Sequence, residues 1–319
     1  MVDQKIGDGE SLDGLGEDRL VGHLGGGHMV GRDVILGTGD DCAILRGRRP
    51  GWWQLFKTDL VAEGSHFLAG DEAYWVGWKA MGRVVSDVAA MGGLPTEALV
   101  TWVVPGATPF GRVRGIDEGL RAACGAYGVS VVGGETSRAQ EGGGILLMVS
   151  ILGEVEEGRA LRRDGGRAGD LLYVTGELGG AVVGGGHLRF RARLGEGRWL
   201  AGRDEGEGRP SAMMDLSDGL GQDLPRLARA SGVSYEIEPG LLPCAPGCGA
   251  EEACGEGEDY ELLLAVPARE AGELERAWVE RWPELRLTRI GRLASEGEGH
   301  RAGEGKGLAV GGWDPFRGG

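Results

Sequence analysis

Carboxylates carry most of the chemistry open to this chain. Asp40 and Asp41 stand in GTGDDCA, Asp59 in KTDLV, Asp87 in SDVAAMGG, Glu135 in GGETS, and Asp215 and Asp218 in DLSDGL. Glycine, alanine or serine flanks most of them and lets a backbone or a cation approach closely. Carboxylates gathered in one place repel one another and take up protons unless cations screen them. Magnesium suits such a set, because it completes an oxygen shell from one or two carboxylates, waters and phosphate oxygens. An acidic pocket holds a triphosphate only through bridging metal ions. Each segment also has a plainer use. Asp beside Gly forms turns, Asp59 after a strand serves as a helix cap or Asx turn, and GGETS reads as a turn. DLSDGL reads as a helix start capped by Ser217 or Asp218. Asp87 falls in a largely apolar helical stretch, where a carboxylate is costly unless paired.

Other chemistries are absent or weak. The sequence has no GxxxxGK[ST] loop, no GxGxxG, and no HRD or DFG pair. A formal charge of 34 − 49 = −15 argues against nucleic acid or an anionic membrane as partner. The five cysteines form an odd set that reads as reduced thiols of a cytoplasmic protein. Cys244, Cys248 and Cys254 cluster without a CxxC pair and read as loop thiols rather than a zinc site. No basic segment followed by an apolar run opens the chain, and no stretch approaches ~18 apolar residues, so a soluble protein is expected. Glycine is abundant, 65 of 319 residues, about three times the usual ~7%, so glycine alone carries no motif argument.

The elements that must position these carboxylates alternate. Helices are expected at 17–24, 73–91 and 110–127, and strands at 53–58, 97–104, 129–132 and 145–155. In the second half, strands are expected at 171–175, 235–238, 260–266 and 285–293, and 212–214 leads into DLSD. Helices fall at 219–230, despite Pro225, and 269–281, and a helical stretch of open limits follows 175. Residues 202–208 and 296–307 read as surface loops. The length suits two domains, placed at 1–153 and 154–319, each an α/β (α+β) layer structure.

In this order the segments resemble the thiamine-monophosphate kinase family, within the wider group of phosphoribosyl-aminoimidazole synthetase and selenophosphate synthetase. The resemblance runs from Glu17-Asp18-Arg19-Leu20 to Gly312-Trp313-Asp314-Pro315-Phe316. It is most specific in GTGDDCA, TDLVAEGSHF, SDVAAMGGLP, VVGGETS, DLSDGL and GEDYELLL. It implies ATP-dependent phosphorylation of thiamine phosphate to thiamine diphosphate by in-line transfer, with several magnesium ions. Asp41, Thr58, Asp59, Asp87, Glu135, Asp215 and Asp218 would bind the metals. Gly134, Arg163 and Ser217 would contact ATP, with Arg162 competing for the arginine role. His66, Glu258 and Trp313 would contact the substrate. Read alone, His66 reads more as a satisfied histidine near a core than as a substrate contact, and Trp313 lies in a glycine-rich tail with no evident core to join. The resemblance also implies a homodimer in which the N-terminal domains pair into a β-barrel.

The sequence departs from the family at four places. Lys57 replaces a usual serine, Glu135 stands where aspartate is common, and HLRPxPR appears as His187 to Arg193 without its prolines. The segment between Gly176 and His187 is short, which implies a trimmed first helix in the second domain. Strand alternation sends Lys57 and Thr58 to opposite faces, so Lys57 either faces solvent or enters the acidic site as a competing cation. Two other readings remain: another ATP-dependent enzyme of the same superfamily, and a non-catalytic nucleotide-binding protein with a decayed metal site.

Overall fold

A computed structural model describes residues 11–25, 30–182, 185–296 and 312–314. Two short helices, α1 (Leu12–Leu15) and α2 (Glu17–Gly25), precede a six-stranded sheet. Its strands are β1 (Val34–Leu36), β2 (Ala43–Arg46), β3 (Trp52–Ala62), β4 (Leu94–Val104), β5 (Ser130–Arg138) and β6 (Leu146–Glu156), in the order β1-β2-β3-β6-β4-β5. Helix α3 (Ala73–Ala90) follows β3, and α4 (Phe110–Tyr127) connects β4 to β5. These two strands are the parallel pair of the sheet, and a helical crossover is what a parallel pair requires.

Helix α3 is apolar on nearly every side and is correspondingly buried on nearly every side. Val76, Met81, Val84, Val85 and Val88 are fully buried, in one core with Ile44, Leu55, Leu147 and Ile151 of the sheet. Among the described residues nothing covers the other face of the sheet, which leaves Phe56, Leu60, Leu99 and Met148 exposed.

The second half forms a five-stranded antiparallel sheet of β7 (Leu171–Thr175), β8 (Ala212–Leu216), β9 (Ser234–Ile237), β10 (Glu261–Val266) and β11 (Leu287–Ala294). Their order is β8-β10-β7-β11-β9. The helices are α5 (Leu194–Ala201), α6 (Leu220–Ala230), α7 (Ala250–Gly255) and α8 (Ala271–Arg281). Side-chain alternation puts Leu172, Val174 and Met214 against Leu224 and Leu227 of α6. Tyr173, Met213 and Leu264 pack with Leu274 and Trp278 of α8 on the opposite face.

Several sequence expectations need correction. Strand β3 does not stop before Asp59 but runs on to Ala62, and Asp59 pairs with Val149 of β6; the residue is neither a cap nor a turn. GGETS is not a turn, because β5 continues through it to Arg138. The β1–β2 hairpin was not expected at all. Strand β6 runs past Gly153 to Glu156 before the chain leaves the first sheet. The helical stretch expected after β7 is realised only later, as a single turn at Gly186–Leu188 and α5, with the described residues before Gly186 in bends and turns. Of the expected loop at 296–307, all but Glu296 lies outside the described residues. Among the described residues no helix is long and apolar enough to cross a membrane.

Candidate active site

Three buried carboxylates from three separate elements meet at the junction of the two sheets. Asp41 comes from the loop before β2, Asp87 from the last turn of α3, and Asp215 from β8. One oxygen of each lies within 4.8 Å of the others. Asp41 is 1% exposed, and its Oδ2 is buried with no hydrogen-bond partner among the described residues. Ser86 Oγ donates to Asp215 Oδ2 at 2.7 Å, and Lys57 Nζ donates to Asp87 Oδ1 at 2.7 Å. The triad borders a cavity of about 650 Å³ whose walls include Asp40, Asp59, Asp87, Arg163, Asp215, Ser217 and Asp218.

Burial dominates the electrostatics here. Asp40 and Asp215 are pushed up to about 7, first by desolvation and then by the neighbouring Asp41 carboxylate. Asp87 is also raised by desolvation, against the pull of Lys57. These groups fit a divalent cation: oxygen donors, excess negative charge, and an orphaned oxygen on Asp41. The folded protein holds protons on Asp40 and Asp215 up to about pH 7, whereas the unfolded chain releases them near the ordinary 3.8. The metal-free protein therefore loses stability as pH rises from 3.8 through 7. Magnesium is then expected to raise the melting temperature more at pH 8 than at pH 6, because binding requires ionised ligands. Equal shifts at both pH values in a thermal melt would place the metal elsewhere.

Two arginines brace the acidic loops. Arg163 pairs with Asp41 and lies 3.8 Å from Asp40, whereas Arg162 turns away to Asp164. The structure thus points Arg163, and not its neighbour, at the pocket. Arg226 of α6 pairs with Asp218 and also reaches Glu17 and Asp18 of α2. Buried Asp223 accepts the backbone N–H groups of Ser217 and Asp218 at 3.1 and 3.0 Å and holds that turn.

Of the expected substrate residues, His66 and Trp313 line this pocket, and Glu258 lines another cavity. His66 and Trp313 meet edge to face with centroids 5.9 Å apart. Desolvation, and then Arg83 and Lys79, push His66 down to about 3, so its ring is neutral at physiological pH. Lys79 is fully buried, pairs with Glu258, and donates to the His66 carbonyl at 2.7 Å. Desolvation brings the Lys79 ammonium down to about 8. Glu258 has φ 71° and Tyr260 φ 52°, a conformation that side chains adopt rarely.

Asp59 and Asp218 line the cavity outside the triad, whereas Thr58, Gly134 and Glu135 reach neither. Thr58 points to the uncovered face of the sheet, where its Oγ1 lies 3.0 Å from Ser150 Oγ. Gly134 and Glu135 lie in exposed edge strand β5, which β6 and β4 separate from β3. Lys79, Arg83, Ser86, Asp223, Arg226 and Tyr260 were missed. A signal existed for two of them: Lys79 and Arg83 precede Asp87 at successive four-residue steps, one face of an otherwise apolar helix. Charges buried at helical spacing need partners.

Residues 39–155 match the family model of the AIR synthase related protein N-terminal domain, and residues 167–302 that of its C-terminal domain. The two-domain fold is thus that of the AIR synthase related class. A thiamine-monophosphate kinase of Aquifex aeolicus is 35% identical over 82% of this chain and 88% of the relative. One of Rhodopirellula baltica is 31% identical over 87% and 89%. A solved structure described as "AaThiL complexed with AMPPCP and TMP" covers 97% of this chain and 100% of its own, at 31% identity and a TM-score of 0.79. The chain belongs to the thiamine-monophosphate kinase family.

Proposed function

We propose that the protein transfers the γ-phosphoryl group of ATP to the phosphate of thiamine phosphate, giving thiamine diphosphate and ADP, with magnesium held by Asp41, Asp87 and Asp215. The observation that carries this reading is the buried triad with its orphaned Asp41 oxygen, whose Asp87 and Asp215 line the same cavity as Trp313, His66 and Asp59. Bound magnesium would neutralise phosphate charge. The chain's own residues do the rest. Arg163, now on Asp41, is placed to turn its donor fork to nucleotide phosphate. Trp313 offers an aromatic face for the fixed thiazolium cation, edge-on to neutral His66. The acceptor is a phosphate monoester whose second pKa is about 6, so it attacks already ionised and no general base is needed. Catalysis is then positioning and charge stabilisation. ADP release coupled to NADH oxidation tests the reading: release should depend on both thiamine phosphate and magnesium, and release indifferent to thiamine phosphate would defeat it.

The homodimer belongs to the same proposal. The exposed apolar face of the first sheet, with Phe56, Leu60, Leu99 and Met148, is a surface a second copy would cover. Pairing there would give β5, with Gly134 and Glu135, a route to the site of the other subunit. Cytoplasmic location is proposed likewise.

Trp313→Ala is expected to weaken thiamine phosphate binding by roughly 0.5–2 kcal/mol, the range of cation–π contacts, with ATP affinity nearly unchanged. Calorimetric titration of the two ligands separates this from a general loosening, which would weaken both alike.

A further inference from the structure

Asp59 is bracketed by two fixed cations that the proposed metal set leaves unexplained. Lys57 Nζ lies 3.7 Å from Asp59 Oδ1 and 2.7 Å from Asp87 Oδ1. Arg83 Nε lies 3.7 Å from Asp59 Oδ2, and its NH1 lies 3.7 Å from Glu258 Oε1. Lys57 and Asp59 share a face of β3 because they are two residues apart, so the ammonium reaches the site by strand geometry. Asp59 does not join the triad that could share an ion.

Arg83 is also unfinished as a hydrogen-bonding group. Both its acidic neighbours sit beyond hydrogen-bond length, and its Nε is buried without a partner among the described residues. Tyr260, 2% exposed and close enough to feel the Arg83 charge, likewise buries its hydroxyl unpartnered. Both side chains line the cavity. Two unsatisfied donors buried together, one of them a guanidinium, suit an anion with several acceptor oxygens. They stand between Asp59 and Glu258, at the substrate end and not beside Arg163.

We propose that Lys57 and Arg83 form a built-in cationic pair that takes the place of a divalent ion at Asp59, and that Arg83, with the Tyr260 hydroxyl, receives the phosphate of the acceptor. The proposal rests on the kinase reading and deepens it: the enzyme carries part of its counter-charge in its own side chains and selects a phosphorylated acceptor with them.

Two binding experiments test it. Manganese titration with AMPPCP present, followed by the electron paramagnetic resonance of free Mn²⁺, should find one more bound ion per chain in Lys57→Ser than in wild type. Equal numbers overturn the replacement of a metal. In calorimetry without nucleotide, Arg83→Ala should bind thiamine phosphate about ten- to a hundredfold more weakly, the worth of a hydrogen bond to a charged group. It should bind unphosphorylated thiamine as wild type does. Equal weakening for both ligands, or no weakening, overturns the phosphate contact. If Arg83→Ala does not fold, Tyr260→Phe removes only the hydroxyl and should show the same selective loss, and an unselective one would count against the proposal. Neither readout depends on turnover, so an inactive wild type would sink the kinase reading and leave these counts to decide the pair.

Discussion

Asp87→Asn should lower kcat by roughly 10²–10³-fold or more, the size of effect seen when one preorganised charge-stabilising group is removed. The far-ultraviolet spectrum should not change. Asp87 lies at the end of α3, buried against Lys57 and within reach of Asp41 and Asp215, so asparagine keeps the shape and removes one negative charge. Lys57 retains Asp59 as a partner, which limits the damage to the fold. Steady-state kinetics and circular dichroism on one preparation check both halves. Joint loss of spectrum and activity would mean that Asp87 serves folding first.

A second large effect concerns how α3 is held. The helix crosses α4 at reciprocal glycines: a Cβ on Gly77 would lie 1.8 Å from the Ile116 carbonyl oxygen, and one on Gly119 would lie 1.7 Å from that of Tyr74. Backbone atoms cannot rotate out of the way as side chains do. Gly119→Ala is therefore expected to cost about 3 kcal/mol, the upper part of the usual range for overpacking, and to lower the melting temperature on the order of 10 °C. Because α3 also carries Lys79, Arg83 and Asp87, activity should fall with stability. A melting temperature within a degree or two of wild type would contradict the close crossing.

Helix α4 and strand β7 occupy the expected residues because each follows one plain periodicity between clear stop signals. Asp59 was misplaced for a physical reason. Lys57 and Asp59 put charge on the face of β3 that turns toward the site, and a polar alternation next to an apolar run looks like the end of a strand. GGETS misled in the opposite way, since its glycines suggest a turn while the sheet edge keeps them extended. Asp41, Asp87 and Asp215 show the larger limit. Nothing in their spacing states that a loop, a helix end and a strand from two sheets converge; the family resemblance supplied the set. For Thr58 strand alternation decides the side chain's face: it turns opposite to Asp59, toward Ser150. Arg83 carries a signal in its four-residue spacing from Asp87, but its role, like that of Tyr260, comes forward only through burial without a partner among the described residues.

The central claim is a transfer from ATP to a phosphate already on thiamine, and phosphorus nuclear magnetic resonance observes it directly. Purified protein with ATP, magnesium and thiamine phosphate should convert the thiamine phosphate singlet into the paired doublets of thiamine diphosphate, in step with ADP. ADP accompanied by inorganic phosphate and unchanged thiamine phosphate, or no change in either compound, would contradict the account.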